Sequence, residues 1–316
     1  MGRPYSKLSP EERLTGRNTG VRRKPASRMD SPLAQAKQRL RSLNVRASKG
    51  LGQHFLVDHS VLNKIISAAE LASTDTVIEV GPGLGILTGV LLETAERVIA
   101  VEVDSKLASS LEQTFSHVPR LTVLNADILD IDPATLAAFE KPSPNSARGY
   151  KVVANLPYYV ASAIIRHFLE SSFKPSLMVV MAQKEVAQSM VAEPGGMSLL
   201  SVGIQMYGKP SIVSYVPARS FHPRPKVDSA IVRIDVYPSP AVNVADVDNF
   251  FEVVKAGFST PRKQLRNSLS IGLQLSTAET ADILEEAGLD PKRRPQTLSL
   301  DEWAGVYSAF AGRSER

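Results

Sequence analysis

Asn155-Leu156-Pro157-Tyr158 is the run in this chain best suited to chemistry on an aromatic amine. The exocyclic nitrogen of adenine is a poor nucleophile, because its lone pair is delocalised into the ring. Two acceptors that take its two N–H groups draw the nitrogen toward tetrahedral geometry and localise that pair. The side-chain oxygen of Asn155 can be one acceptor and the backbone carbonyl of Leu156 the other. Pro157 keeps Leu156 out of the α region, which fixes the direction of that carbonyl. Tyr158 offers a flat face to a base, and such stacking is worth roughly 1–3 kcal/mol. Alignment would supply most of the acceleration, and a strong general base would not be needed if the electrophile carries a good leaving group. Taken alone, Asn-x-Pro-Tyr reads as a turn with a half-buried aromatic. Its weight comes from what precedes it.

Glu79-Val80-Gly81-Pro82-Gly83-Leu84-Gly85 follows a β-branched run and precedes a helical pattern. Gly81 and Gly83 let the backbone turn tightly and approach a ligand closely. Glu102, at the end of the next strand, can accept from both hydroxyls of a ribose. This spacing serves NAD equally well. Three features favour S-adenosylmethionine. Glu79 can hold the loop or receive an ammonium group. Asp127 ends the third strand, where it could bond an adenine amine or simply cap a turn. Pro82 removes a backbone donor where a pyrophosphate-binding loop wants one. On these residues alone a dinucleotide remains the alternative.

The elements that position these groups can be read from periodicity. Val61, Leu62, Ile65 and Ile66 have helical spacing. Strands are expected at Thr76–Val80, Val98–Val101, Leu121–Leu124, Val152–Asn155 and Leu177–Met181. Helices are expected at Leu84–Glu93, Ser105–Phe115 and Ala161–Leu169. This alternation predicts an α/β fold with a doubly wound, mostly parallel sheet, Rossmann-like. Ser211–Val216 and Ser229–Val236 flank a Pro-rich turn, Phe221 to Pro225, and could pair antiparallel at the sheet edge. Tyr237 to Pro240 reads as a linker. Beyond it only helices are expected: Val247–Phe258, Arg262–Leu273, Thr277–Ala287 and Asp301–Phe310. The expected division is a basic arm at 1–44, a catalytic domain at 45–238 and a small all-α C-terminal domain at 239–316.

Of 316 residues, 43% are hydrophobic and 22% charged, which suits a soluble globular protein. The absence of cysteine excludes disulfides, thiolate metal sites and cysteine nucleophiles, and fits a reducing compartment. No apolar run is long enough to span a membrane, and the charged start lacks the apolar stretch of a signal peptide. A cytoplasmic location is expected, with no metal and no membrane partner. The net charge of +5 is unevenly spread: residues 1–50 hold 13 Lys/Arg against 3 Asp/Glu. A basic arm of this kind either meets a polyanion or is a solvated tail. Residues 1–30 read as disordered, residues 31–43 as more helical, and translation from Met29 is a hypothesis that intact mass would test.

With these residues assembled, the chain resembles the KsgA-type ribosomal RNA adenine dimethyltransferases, whose relatives include the Erm macrolide-resistance methylases. The resemblance runs from about residue 45 to the C-terminus. It is carried by Gly52-Gln53-His54-Phe55-Leu56, Glu79 to Thr88, Asn155 to Tyr158, Gln183-Lys184-Glu185-Val186, Phe221 to Ser229 and Arg262 to Leu269. The resemblance implies a class I methyltransferase domain that uses S-adenosylmethionine. It also implies dimethylation of two adjacent adenines near the 3′ end of small-subunit ribosomal RNA, within a pre-ribosomal particle and by a monomer. It implies cofactor contacts at Gln53, His54, Leu56, Glu79, Gly81, Gly83, Glu102, Val103, Asp127, Ile128 and Asn155. His54 stands where many relatives have Asn. The catalytic group it implies is Asn155, Leu156, Pro157, Tyr158 and Phe221, the last sandwiching the base opposite Tyr158. Locally, Phe221 among prolines is a poor place for a core aromatic. Lys226, the cluster Arg262, Lys263 and Arg266, and Lys292, Arg293 and Arg294 are candidate phosphate contacts or solvated helix faces. The rival readings are a large-subunit RNA methylase of the macrolide-resistance type, a DNA adenine methylase, and a non-catalytic RNA-binding assembly factor. The long helical C-terminal part argues against the first, Leu156 in place of Pro against the second, and the intact Asn155 and Tyr158 against the third.

Overall fold

The computed structural model describes residues 32–42, 53–136 and 149–314. The expected disordered arm before residue 31 lies outside the described residues. The helical stretch expected after it is present as α1 (Pro32–Ser42). Its Ala36 and Leu40, one turn apart, join a small apolar cluster with Phe55, Leu84 and Leu107. A two-residue strand β1 (Phe55–Leu56) follows. Helix α2 (His59–Ala69) starts at Asp58, whose carboxylate accepts from the Ser60 amide, and buries Val61, Leu62 and Ile65 along one stripe.

The expected alternation then runs as β2 (Thr76–Val80), α3 (Ile86–Thr94), β3 (Arg97–Glu102), α4 (Ser105–Thr114), β4 (Leu121–Asn125), the short α5 (Pro133–Leu136), β5 (Tyr150–Asn155), α6 (Ala161–Glu170) and β6 (Leu177–Gln183). Two helices without strong periodicity follow, α7 (Lys184–Met190) and α8 (Leu199–Gln205). Then come β7 (Gly208–Val216), β8 (Phe221–His222) and β9 (Ser229–Val236). The main sheet has the order β4-β3-β2-β5-β6-β9-β7. β4 to β6 are parallel, while β9 is antiparallel to both β6 and β7. The antiparallel pair at the edge is as expected. The central strands are apolar runs because helices cover both faces: Val152, Val153 and Ala154 are all 0% exposed. Chain direction across the sheet reverses between β2 and β5, so the carboxyl ends of these two strands flank the crevice where such sheets bind ligands.

The C-terminal part is helical: α9 (Val247–Phe258), α10 (Leu265–Leu273), α11 (Thr277–Glu286) and α12 (Leu300–Ser314). Helix α10 starts three residues later than the sequence suggested. Pro261 to Lys263 form a turn instead, with the Lys263 amide bonded to the Thr260 carbonyl, and Gln264 is extended at φ −64°, ψ 149°. One apolar cluster runs from the sheet through Met206 and Tyr207 to Phe250, Phe251 and Trp303.

Candidate active site

A cavity of about 310 Å³ opens at the carboxyl ends of β2, β3 and β5. Every residue expected at the site lines it except Phe221. The walls come from five chain segments that the topology brings together: β1 with Gln53 and His54, the loop after β2, the end of β3, the end of β4, and the loop after β5.

The loop after β2 turns on glycines with positive φ, +66° at Gly81 and +56° at Gly83. A Cβ at Gly83 would lie 2.9 Å from the Phe55 ring, so the close approach of β1 also requires glycine there. The Gly83 amide donates to Glu102 Oε2 (3.0 Å) and the Asp104 amide to Oε1 (3.0 Å). Glu102 thus ties the glycine loop to β3 while keeping further lone pairs to accept from a ligand. Burial raises its carboxyl above the ordinary range, against the pull of these amides. Glu79 is 1% exposed, and its Oε2 has no hydrogen-bond partner. Burial pushes its carboxyl up to about 8, partly offset by the Thr88 hydroxyl and reinforced by Glu102. Asp127 does two things at once. One of its oxygens accepts from the Leu129 amide (3.0 Å) and caps the short turn Ile128–Asp130, yet the side chain stays exposed at the cavity wall beside Ile128.

In the loop after β5, the Asn155 Nδ2 donates to the His54 carbonyl (3.0 Å). That bond uses one of the amide's two N–H groups, orients the side chain and leaves Oδ1 as its acceptor for a ligand. The His54 Nδ1 lies 2.7 Å from the Pro223 carbonyl, which only accepts, so Nδ1 carries the proton. The His54 ring stacks on Tyr158 with centroids 5.5 Å apart at 29°. The Tyr158 hydroxyl is held by Ser229 Oγ at 2.5 Å, and burial raises its pKa. Leu156 is 1% exposed, which anchors the loop in the core.

Phe221 departs from expectation. It forms strand β8, where it pairs with Leu56 of β1, and it is 3% exposed in the cluster of Val61, Leu62 and Ile65. The prolines around it do not place it in a loose loop; they bracket a two-residue strand. Its visible role is to hold β1, and hence His54, against Asn155. Several lining residues carried no signal of their own, among them Leu107, Leu129 and Ile164. Tyr159 is different: it lines the same cavity and is 64% exposed, and the doubled tyrosine after Pro157 was a visible cue.

The basic candidates divide. Arg293 is committed to structure, forked onto Glu302 at 2.6 and 3.0 Å and bonded to the Thr297 carbonyl. Arg262, Lys263, Lys292 and Arg294 are exposed, as is Lys226. The turns carrying the first four are joined by the bonds Leu265 N to Arg293 O and Arg266 N to Pro291 O, so the two basic runs form one patch. Among the described residues no His/Asp/Glu cluster could hold a metal ion, and no helix is long and apolar enough to cross a membrane.

Comparison with known proteins agrees with this geometry. The family model "Ribosomal RNA adenine dimethylase" matches residues 44–305. The ribosomal RNA small subunit methyltransferase A of Dehalococcoides mccartyi is 49% identical over 284 residues, covering 89% of this chain and 94% of its own length. Among solved structures, a dimethyladenosine transferase from Plasmodium falciparum superposes with a TM-score of 0.68 at 25% identity, covering 83% of this chain and 98% of its own. The 23S rRNA methyltransferase ErmE superposes with a TM-score of 0.61 at 28% identity, covering 81% and 99%. The seven-stranded sheet, the cavity at its switch point and these matches together lead to one assignment: the chain belongs to the ribosomal RNA adenine dimethylase family.

Proposed function

We propose that this chain transfers methyl groups from S-adenosylmethionine to N6 of two adjacent adenines near the 3′ end of small-subunit ribosomal RNA, giving N6,N6-dimethyladenosine. The proposed setting is a pre-ribosomal particle in the cytoplasm, with the chain acting as a monomer. The observation that carries the reading is the position of Asn155. Its amide lies in the same cavity as Glu79, Glu102 and Asp127, oriented by the bond from Nδ2 to the His54 carbonyl.

The cavity's chemistry suits this cofactor. Among the described residues it is lined by three carboxylates and by no lysine or arginine, the reverse of what a pyrophosphate needs. The partnerless Glu79 Oε2 is placed to receive an ammonium group. Glu102 would hold the ribose, and Asp127 with Val103 and Ile128 the adenine ring. When bound, S-adenosylmethionine supplies an electrophilic sulfonium methyl whose leaving group is a neutral thioether. Asn155 Oδ1 and the Leu156 carbonyl accept the two N–H groups of the target amine and localise its lone pair. Tyr158 is held at its hydroxyl by Ser229 and on one face by the stacked His54 ring, so its other face would be a rigid rather than a mobile platform for the base. Preorganisation of this kind lowers the barrier by alignment.

The large-subunit alternative is disfavoured by the comparisons, since the small-subunit relative is 49% identical and the 23S enzyme 28%. The test is methyl transfer from labelled cofactor to undermethylated small ribosomal subunits, with the product mapped. Asn155→Ala is expected to lower turnover by at least about a hundredfold while subunit binding stays within twofold of wild type. Normal dimethylation by that variant would refute the role given to Asn155.

A further inference from the structure

Tyr215 stands on the sheet's edge strand, β7, and is 51% exposed. The Lys184 ammonium lies over its ring at 5.4 Å from the centroid. Successive strand residues face opposite sides. Accordingly Ser214 meets Lys64 of α2 (2.9 Å) while Tyr215 meets the first residue of α7. Tyr215 pairs with Ala230 of β9, and the preceding residue, Ser229, holds the Tyr158 hydroxyl. Lys184 follows Gln183, which pairs with the same Ser229, and its amide donates to the Asp228 carbonyl. The tyrosine and lysine therefore stand at the same end of the sheet as Asn155, with Lys184 one strand from β5 and Tyr215 three. The connector after β7 adds Arg219, Arg224 and Lys226, all exposed and none in an ion pair among the described residues. Asp228 is the nearby counter-charge, and one of its oxygens is taken by the Ala218 amide.

An edge strand often invites another strand, but this one is built against it. Pro210 interrupts its donors, and a register shift between Ile212 and Ser214 breaks the ladder. What β7 offers is its side chains: a flat aromatic with a cation over it, beside three free cations. Single-stranded nucleic acid is recognised by this combination, with bases stacked on aromatics and phosphates along a basic track.

We propose that Tyr215 and Lys184 form a subsite for a nucleotide of the single-stranded RNA flanking the target adenine, with Arg219, Arg224 and Lys226 carrying the neighbouring phosphates. This rests on the RNA adenine reading above and extends it beyond the catalytic pocket. The test is steady-state methylation of undermethylated small ribosomal subunits by full-length variants, with equilibrium binding to the same subunits measured in parallel. Tyr215→Ala is expected to raise KM and the subunit Kd about tenfold, within the range that loss of one base stack produces, with kcat unchanged. Tyr215→Phe keeps the stacking face and is expected to stay within twofold. Lys184→Gln is expected to flatten the salt dependence of binding by about one ion. Cofactor affinity and melting temperature unchanged in Tyr215→Ala would locate the effect on the RNA. A wild-type KM and Kd in Tyr215→Ala would overturn the proposal. So would wild-type self-association that Tyr215→Ala abolishes, since the edge would then serve a second copy. Failure of the wild type to methylate the subunits would sink the functional reading instead, and the binding comparison would still decide the subsite.

Discussion

At the scale of single residues, Glu79 makes the sharpest statement. A carboxyl 1% exposed, with one oxygen unpartnered, is costly unless a cation is meant to sit beside it. Its pKa, pushed from 4.5 up to about 8 by burial, means that the folded protein keeps a proton the unfolded chain releases. Its contribution to stability is therefore fully present below about pH 4.5 and is lost as pH rises through 8. Glu79→Gln removes this dependence, so thermal melts of the cofactor-free variant should exceed wild type at pH 8 and approach it at pH 5. Binding a cationic cofactor has the opposite demand, because it needs the carboxylate. Cofactor affinity should rise with pH up to about 8 and release a proton, seen by calorimetry in buffers of different ionisation enthalpy. An affinity independent of pH in the wild type would show that Glu79 does not meet the ammonium. The place of Glu79, Glu102, Asp127 and Asn155 in one cavity was legible because they are polar residues at the ends of apolar strands, where the fold must expose or use them. Phe221 was misjudged for a physical reason: a strand of two residues leaves no periodicity, and its pairing with Leu56 is a long-range contact that no local pattern reports.

At the scale of elements, the central strands and the long amphipathic helices could be read from the chain, since burial on two faces or one face imposes a period. Helices α7 and α8 could not. Each is seven residues long, and their apolar positions are shared between the sheet and the C-terminal helices, so no single stripe forms. The C-terminal helices were legible, but not how closely they approach. Gly257 of α9 faces Trp303 of α12, which is 0% exposed. A Cβ at Gly257 would lie 2.3 Å from the indole ring, and the ring is rigid and enclosed. Alanine would gain about 1 kcal/mol of helix propensity, but overpacking costs roughly 1–3 kcal/mol and here involves a large fused ring. Gly257→Ala is expected to lower stability by about 1–2 kcal/mol and the melting temperature by a few degrees. A melt at or above wild type would mean that α9 and α12 slide apart without cost. Cofactor affinity should not change, because neither Gly257 nor Trp303 lines the cavity.

At the scale of the whole molecule, charge and packing are distributed differently. Packing is continuous: the apolar cluster passes from the sheet into α9 and α12 without interruption, so the C-terminal helices brace the catalytic layer. Charge is divided. Residues 1–50 carry a net +10 and the rest of the chain a net −5. A cavity walled by carboxylates suits a cationic cofactor but would repel RNA phosphates, so attraction to RNA must come from cations placed elsewhere. The exposed basic residues Arg262, Lys263, Lys292 and Arg294, and Arg219, Arg224 and Lys226 along the edge, would act only at short range. The arm is the largest single reservoir of positive charge. Interactions of this kind are screened over about 8–10 Å at physiological salt, and each phosphate neutralised contributes close to one ion to the salt slope. Removal of residues 1–28, which hold 8 Lys/Arg against 2 Asp/Glu, should therefore weaken binding to small subunits strongly at low salt and little at high salt. kcat at saturating substrate should stay at the wild-type value, because the truncated chain keeps Asn155 to Tyr158 and every other residue assigned to methyl transfer. A double-logarithmic plot of Kd against salt concentration reads the difference as a shallower slope. Parallel lines for the two proteins would mean that the arm does not touch RNA, and the charge division would then need a different partner to explain it.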